Sequence, residues 1–253
     1  LQIQGPLSED LMAKLAGEEL RDVPYYGLME ANINGADCVI SQTGFTGEKG
    51  YEIYVRDTHE NAEKVWNKVL EDGEEFGLMV IAPAHHRRIA AGILSWGQDL
   101  DHETSPFQVN LAYQVPRNKK SDYIGKAELE RQRDVMDSGE APFKMKMVGI
   151  TLGGKEITDY APDFWLVADT DGNDMGYVTS PWWSPELETN IALAWVPWSS
   201  SEVGTKLQVK LPDEYSVTPG EPVEAQVVDV PFRESVNPNK REVEAAKGKD
   251  FAE

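Results

Sequence analysis

The sequence predicts an α+β fold, in which an antiparallel sheet with helices on one face is followed by a small all-β barrel or jelly roll. Two observations support this prediction. Helical and strand periods are mixed in the first half of the chain, whereas short strands separated by Gly, Pro and Asp-Gly turns follow the polar stretch Asp137–Pro142. We therefore expect a first domain over residues 1–142, a β-barrel domain over residues 143–235 and a charged tail over residues 236–253.

The helices of the first domain are predicted from apolar residues that recur at three- and four-residue spacing. Ser8 is the expected N-cap of the first helix, ahead of an acidic first turn. Pro83 and Gly92 bracket a short third helix. In chain order, the predicted helices are Ser8–Ala16, Thr58–Phe76, Ala84–Ala91 and Ala127–Met136.

The strands are predicted from alternating or continuous apolar residues between turn signals. In the first domain, Ala31–Gln42 and Gly50–Val55 are expected to form a hairpin around a glycine-rich loop. The strands expected in the barrel are Lys146–Leu152, Trp165–Ala168, Gly176–Thr179, Ile191–Val196, Lys206–Lys210 and Val223–Val230.

The composition disfavours several classes of function. With 24 basic and 44 acidic residues among 253, the net charge is −20, which disfavours nucleic-acid binding because a phosphate backbone is repelled. The dispersed acids are interpreted as a solubilising surface, with a basic partner as the alternative. No apolar run reaches the ~18 residues of a membrane span, so we expect no membrane association and a cytoplasmic location. Cys38 lies in an apolar strand pattern and is expected to be packed rather than nucleophilic.

The loop between the two predicted strands is the first candidate site. Gly44, Gly47 and Gly50 allow either a positive φ or a close approach of the backbone. Glu52 stands at the start of the following strand, where a fixed carboxylate can accept two N–H bonds from a planar heterocycle. Because glycine hairpins with one acid are common, the pattern alone is compatible with a purely structural loop.

The segment that begins at His85 is the second candidate site. We expect no metal at the adjacent His85 and His86, because neighbouring residues on a helix point about 100° apart and no ligand stands four residues on. Arg88, like its neighbour Arg87, is expected to pair with carboxylates, either structural ones or those of a ligand. The acidic run of Asp99, Asp101 and Glu103 suits general acid–base chemistry or turn capping equally well.

Aromatic residues near both candidate sites are suited to form walls for a flat ring. Core packing is the alternative for each of them. The residues considered are Phe45, Tyr51, Trp96 and Phe107.

The stretch Ser41–Val55 resembles the corresponding loop of the glycine-cleavage T-protein (aminomethyltransferase) family, in which the carboxylate of the Gly-Tyr-Glu triplet binds the pterin of tetrahydrofolate. The resemblance extends over essentially the whole chain. Further similar motifs, in family order, are Leu1–Pro6 before the loop, and His85–Pro106, Tyr123–Leu129, Gly176–Ser180 and Asn190–Ala194 after it. The resemblance implies tetrahydrofolate as cofactor, with Glu52 as the anchor of its pterin. As further cofactor-binding residues we expect Tyr51 and Trp96 as ring walls, and Arg88 as a partner of the folate tail or of a structural acid.

The sequence also departs from the aminomethyltransferase pattern. Ala84 and His85 stand where the family has an Arg-Asp pair, Ala90 where it has Glu, and Trp96 where it has Tyr. The chain is more similar to the folate-dependent demethylase branch, which includes the vanillate and syringate O-demethylases and the dimethylsulfoniopropionate demethylase. The resemblance therefore implies transfer of a methyl group from a methoxy-aromatic or related small donor to N5 of tetrahydrofolate. A non-catalytic folate-binding module and aminomethyl transfer are the alternatives.

Members of this family have a long N-terminal portion ahead of the strand that Leu1–Pro6 resembles, and this portion contains the catalytic acid. We therefore expect the chain to be the C-terminal part of such an enzyme. On this expectation, the catalytic acid lies outside the 253 residues, and a partner chain is one source of the N-terminal half.

Overall fold

The computed structural model describes residues 1–82, 85–117 and 119–232. It has two compact units, Leu1–Arg87 and a second that begins at Arg88. This division precedes the domain boundary expected after residue 142, because residues such as Ile89 and Val109 pack in one cluster with the barrel residues Met147 and Leu193. The tail predicted over residues 236–253 lies outside the described residues.

The first unit contains a four-stranded antiparallel sheet in the order β1-β4-β3-β2. The sequence interpretation Ala31–Gln42 treated two strands as one. An Asn34-Gly35 turn with φ values of 51° and 81° divides them, and positive φ at both positions is typical of a two-residue hairpin. The strands are β1 Gln2–Gln4, β2 Leu28–Ile33, β3 Ala36–Ser41 and β4 Gly50–Val55.

The helices of the first unit cover one face of this sheet. Helix α1 spans Ser8–Ala16 and α2 spans Thr58–Gly73, with 3-10 turns at Glu18–Asp22 and Glu74–Phe76. Ser8 is not the N-cap that we expected, since that position is Leu7, and the Ser8 hydroxyl donates to the Lys49 carbonyl instead. The shared core contains, from the helices, Leu11, Met12, Val65 and Val69, and from the sheet, Ile3, Cys38, Ile40, Tyr51 and Ile53.

The opposite face of the sheet carries the polar positions of the same strands, because side chains alternate along a strand. The strand register aligns Gln2 with Glu52, Glu52 with Ser41, and Ser41 with Leu28. These four residues therefore form one row across all four strands of the sheet. We call this side, with the side chains that it carries, the open face.

The second unit is built around a closed antiparallel barrel in the order β10-β5-β8-β7-β6-β9, which confirms the predicted fold class. All six strands expected in this part of the chain are present. Closure pairs every strand of the barrel on both sides, which removes exposed strand edges. The strands are β5 Met145–Leu152, β6 Trp165–Ala168, β7 Asp174–Ser184, β8 Thr189–Pro197, β9 Lys206–Val209 and β10 Val223–Val228.

Two further helices and a 3-10 turn precede the barrel strands in the chain. Helix α3 spans His85–Ala90 and α4 spans Lys126–Asp137, close to the predicted bounds, and the 3-10 turn lies at Ala112–Gln114. Another 3-10 turn, Trp198–Ser200, lies between β8 and β9. Over the described ranges, no helix has the length and apolar character that crossing a membrane requires.

Candidate functional site

The loop between β3 and β4 places Glu52 on the open face of the sheet. Gly47 has a φ of 75° and supplies the left-handed turn, whereas Gly44 and Gly50 lie against the side chain of Gln4. Both alternatives that the sequence left open for the glycines therefore occur, at different positions. The loop returns the chain into β4, and Glu52 follows two residues after Gly50.

Among the described residues, three side chains donate hydrogen bonds to the Glu52 carboxylate. Gln2 Nε2 donates to Oε1 over 2.7 Å, while the Thr43 hydroxyl and the Tyr54 hydroxyl (3.1 Å) both donate to Oε2. A carboxylate offers about four acceptor positions. One acceptor position on Oε1 therefore remains for a further donor.

These contacts also determine the charge of Glu52. Burial of the half-buried carboxyl favours its neutral form, but the hydrogen bonds from Thr43, Gln2 and Tyr54 outweigh burial and lower the pKa of Glu52 below its ordinary value of 4.5. At neutral pH Glu52 is therefore an oriented carboxylate anion.

Apolar surface flanks this anion on the open face. Tyr54, two residues along β4, is 56% exposed, and Leu28 at the far end of the row is 66% exposed. Val39 lies opposite Tyr54 on the neighbouring strand. An acceptor with an exposed ring and aliphatic surface beside it suits a flat heterocycle that carries N–H donors.

Tyr51 was predicted to form a ring wall at the site, but its side chain does not lie on the same face as Glu52. Its side chain is fully buried on the helix-covered face, because adjacent residues of a strand point to opposite sides of the sheet. There its hydroxyl accepts from Gln42 Nε2 over 3.4 Å and donates to Glu9 Oε2 over 3.3 Å. In this structure Tyr51 is a core residue, and the aromatic side chain next to Glu52 is Tyr54.

Arg88 belongs to a buried ionic cluster in the second unit. It donates to Asp99 Oδ2 over 2.7 Å and to Ser180 Oγ over 2.7 Å, and both charged side chains are almost completely inaccessible. Asp99 also accepts from the Ser95 backbone N–H and from the hydroxyls of Thr179 and Ser180. Of the two partners that the sequence allowed for Arg88, the structure provides a structural acid.

The loop that follows Arg88 presents Trp96. Its ring is 66% exposed and lies 6.5 Å from the ring of His102. The backbone N–H of Gly97 donates to the Leu100 carbonyl over 2.8 Å, which closes the loop directly after Trp96. An exposed indole on a closed loop suits a ring wall, and this role for Trp96 stays a prediction.

Asp101, another candidate of this segment, has local structural contacts. Asp101 caps a turn, accepting bonds from the Glu103 backbone N–H over 2.9 Å and the Thr104 hydroxyl over 3.1 Å. Within the described parts of the chain, no three His, Cys, Asp or Glu side chains converge as a metal site would require. Ala84, one of the departures noted from the sequence, lies outside the described residues.

The sequence interpretation missed the side chains that hold Glu52, namely Gln2, Thr43 and Tyr54. A signal for Tyr54 was present, since residues two apart on a strand share a face. Gln2 and Thr43 depend on strand register and on the path of the loop, which no local pattern specifies.

Comparison with known families shows matches over both parts of the chain. Residues 1–119 match the family model of the GCVT N-terminal domain. Residues 146–233 match that of the glycine cleavage T-protein C-terminal barrel domain.

Individual proteins show the same similarity. An aminomethyltransferase of Geobacillus sp. (strain WCH70) is 32% identical over 92% of this chain and 59% of the relative. That of Bacillus subtilis (strain 168) is 31% identical over 92% of this chain and 60% of the relative. The crystal structure of glycine cleavage system aminomethyltransferase T from Bartonella henselae has a TM-score of 0.72 over 92% of this chain and 59% of that chain; at 24% identity, this similarity shows a shared fold. The chain thus spans well under two thirds of the length of these proteins.

Proposed function

Because the chain belongs to the glycine cleavage T-protein family, we propose that it binds tetrahydrofolate and contributes to transfer of a one-carbon unit. The observation that carries this proposal is Glu52, an oriented carboxylate with an acceptor position left on Oε1. A pterin carries N–H donors along one edge, and a charge-assisted bond to such a donor is among the stronger hydrogen bonds in proteins.

The residues around Glu52 fit this ligand. The lowered pKa of Glu52 keeps the acceptor charged at neutral pH, and Tyr54 offers an exposed ring on the same face. Bound tetrahydrofolate would supply a nitrogen, N5, that accepts the one-carbon unit. The chain's own contribution is to bind and orient the pterin, with Glu52 as its anchor.

For the reaction, we propose methyl transfer from a methoxy-aromatic or related small donor. Support comes from the departures in the α3 region, where His85 stands in place of the family's acidic residue. Aminomethyl transfer is the second candidate, because the relatives at 31% to 32% identity are named aminomethyltransferases. A folate-binding module without catalysis is the third.

We further propose that residues outside these 253 supply the catalytic acid and much of the donor pocket. The basis is that the match covers about 59% of the relatives' length. A partner chain or another part of the same polypeptide would meet this requirement equally well.

Glu52→Gln tests the pterin anchor. We expect the affinity for tetrahydrofolate to fall about 10- to 150-fold, since a charge-assisted hydrogen bond contributes about 1.5–3 kcal/mol. The measurement is anaerobic isothermal titration calorimetry. Glu30→Gln is the matched control. In the strand register Glu30 lies opposite Val39, and Val39 lies opposite Tyr54, so Glu30 is also on the open face. Its carboxylate pairs with Arg56 instead of facing the proposed ligand. Unchanged affinity in Glu52→Gln would contradict the assignment.

Turnover assays distinguish the three candidate functions. The chain, with the polypeptide that supplies the rest of the site, is incubated with tetrahydrofolate and vanillate, syringate or dimethylsulfoniopropionate. Formation of 5-methyltetrahydrofolate supports the methyl-transfer proposal. Activity with an aminomethylated carrier protein alone supports the second candidate, and binding without any product supports the third.

A further inference from the structure

The side chain of Gln4, on edge strand β1, lies directly against the glycine loop. Its Nε2 donates to the Thr43 carbonyl over 3.3 Å, and its Oε1 accepts from the Thr46 hydroxyl over 2.9 Å. The Thr46 oxygen in turn accepts from the Glu48 backbone N–H over 3.2 Å. One amide therefore bonds to the loop on both of its polar atoms and reaches three successive parts of it.

Two glycines of the loop make room for this amide. A Cβ at Gly44 would lie 2.1 Å from Gln4 Oε1, and a Cβ at Gly50 would lie 2.4 Å from the Gln4 carboxamide and 2.6 Å from the Ile3 carbonyl. Separations under 3.0 Å are essentially absent from real Cβ contacts. Neither glycine has the positive φ seen at Gly47. A Cβ at Gly44 would displace the Gln4 carboxamide, and a Cβ at Gly50 would meet both that carboxamide and the Ile3 backbone carbonyl.

The same contacts connect Gln4 to Glu52. Thr43, whose carbonyl is held by Gln4, donates its hydroxyl to the Glu52 carboxylate. Gln4 also pairs with Gly50 in the strand register, and Gln2, two residues earlier, pairs with Glu52. Strand β1 thus contacts the carboxylate directly through Gln2 and indirectly through Gln4.

We infer that Gln4 is a positioning residue for the pterin anchor: it fixes the glycine loop so that Thr43 holds Glu52 with an acceptor left for the ligand. The inference rests on the proposed function, since it concerns the same carboxylate. The side-chain hydrogen bonds described for Gln4 go to the loop rather than to Glu52, and Gln4 is not assigned a contact with the ligand.

A double-mutant cycle between Gln4→Ala and Gly44→Ala tests the inference by calorimetric affinity for tetrahydrofolate. We expect Gln4→Ala to weaken binding about tenfold, through loss of about two neutral hydrogen bonds that hold the loop. Gly44→Ala alone should weaken it at least as much, because the new methyl group displaces Gln4. In the Gln4→Ala background the methyl group has space, so Gly44→Ala should add little.

The pH profile separates positioning from general loss of structure. With Thr43 released, the Glu52 carboxyl loses a donor and its titration midpoint should move upward in Gln4→Ala.

A second variant, Gln4→Met, keeps the size of the side chain but removes both hydrogen bonds. It should weaken binding similarly while leaving the clash with Gly44→Ala in place, and it replaces Gln4→Ala if that variant does not fold. Gly153→Ala is the control, since its Cβ meets only ordinary contacts at 3.7 Å.

Two results would overturn the role of Gln4. One is wild-type affinity and pH profile in Gln4→Ala; the other is an equal loss from Gly44→Ala with and without Gln4. Absence of tetrahydrofolate binding by the wild type would instead contradict the proposed function. In that case the cycle measured as the free energy of unfolding still shows whether Gln4 and Gly44 clash.

Discussion

Glu52 in the first unit and Asp99 in the second are both carboxylates that accept several hydrogen bonds. They differ in the number of acceptor positions that remain open on the carboxylate oxygens. Asp99 is buried and accepts from four donors, Arg88, Ser95, Thr179 and Ser180, which fill its acceptor positions. Glu52 is half-buried, has three donors and carries no cationic partner among them.

The difference separates two uses of an acid. The buried Asp99 carboxylate has its acceptor positions filled by a guanidinium, a backbone N–H and two hydroxyls, so none is free for a ligand. Its role is therefore structural. A carboxylate that is oriented but keeps an acceptor position can bind a donor without first losing a bond. We therefore assign a structural role to Asp99, and the proposed ligand recognition to Glu52.

Asp99→Asn should produce the largest loss in the free energy of unfolding. A small loss would contradict the structural role of Asp99. Replacing the charged partner leaves Arg88 as an uncompensated buried cation, and we expect the free energy of unfolding to fall by about 3–5 kcal/mol. Guanidinium denaturation of the whole chain measures it. Asp101→Asn, in the same segment but on an exposed turn, should change stability by under ~0.5 kcal/mol. A loss below ~1 kcal/mol for Asp99→Asn would refute the structural role.

The two tyrosines of β4 sharpen the comparison within one strand. Tyr51→Ala removes a ring from the core and should destabilise the protein by about 3–5 kcal/mol, as other large aromatic truncations do. Tyr54→Ala removes an exposed ring and should change stability by under ~1 kcal/mol. Its effect should appear in the affinity for tetrahydrofolate, which we expect to fall about 2- to 12-fold. Chemical denaturation and calorimetry on both variants test this; the reverse assignment of effects would contradict it.

The smallest predicted effect concerns the titration of Glu52. Burial opposes ionisation, but the three hydrogen bonds prevail, so the pKa of Glu52 lies below 4.5. A lowered pKa contributes stability that is present above the ordinary pKa and is lost as the pH falls through the folded pKa. Thr43→Val removes one of the donors that lower the pKa of Glu52, so the titration midpoint should move upward. NMR of the Glu52 carboxyl carbon measures the midpoint in the wild type and in Thr43→Val. A wild-type midpoint above 4.5 would contradict the proposed geometry.

Local sequence patterns predicted most of the architecture. Strand β6 has the predicted bounds, and the remaining barrel strands were found within a few residues. The Asn34-Gly35 turn was overlooked although Asn-Gly is a hairpin signal, because the flanking residues also fit one continuous strand.

The candidate site was only partly predictable. The loop pattern predicts Glu52 as a site residue, which stays a prediction, whereas its hydrogen-bonding neighbours are set by strand register and by distant segments. Gln2 lies fifty residues away in sequence, and Thr179 meets Asp99 across eighty. Tyr51 was predicted to lie at the site because it is adjacent to Glu52 in sequence. Adjacent residues of a strand point to opposite faces of the sheet, and alternate residues share a face.

Ser41 and Thr43 place two hydroxyl oxygens 2.6 Å apart beside Glu52, and either of them can be the donor in that contact. The single proton of Thr43 has two acceptors within reach, Glu52 Oε2 and Ser41 Oγ. Turning the O–H bond from one to the other frees a second acceptor on the carboxylate while the backbone stays in place. On the proposed function, a pair of N–H donors would then find one acceptor position on each oxygen of the Glu52 carboxylate after rotation of a single hydroxyl.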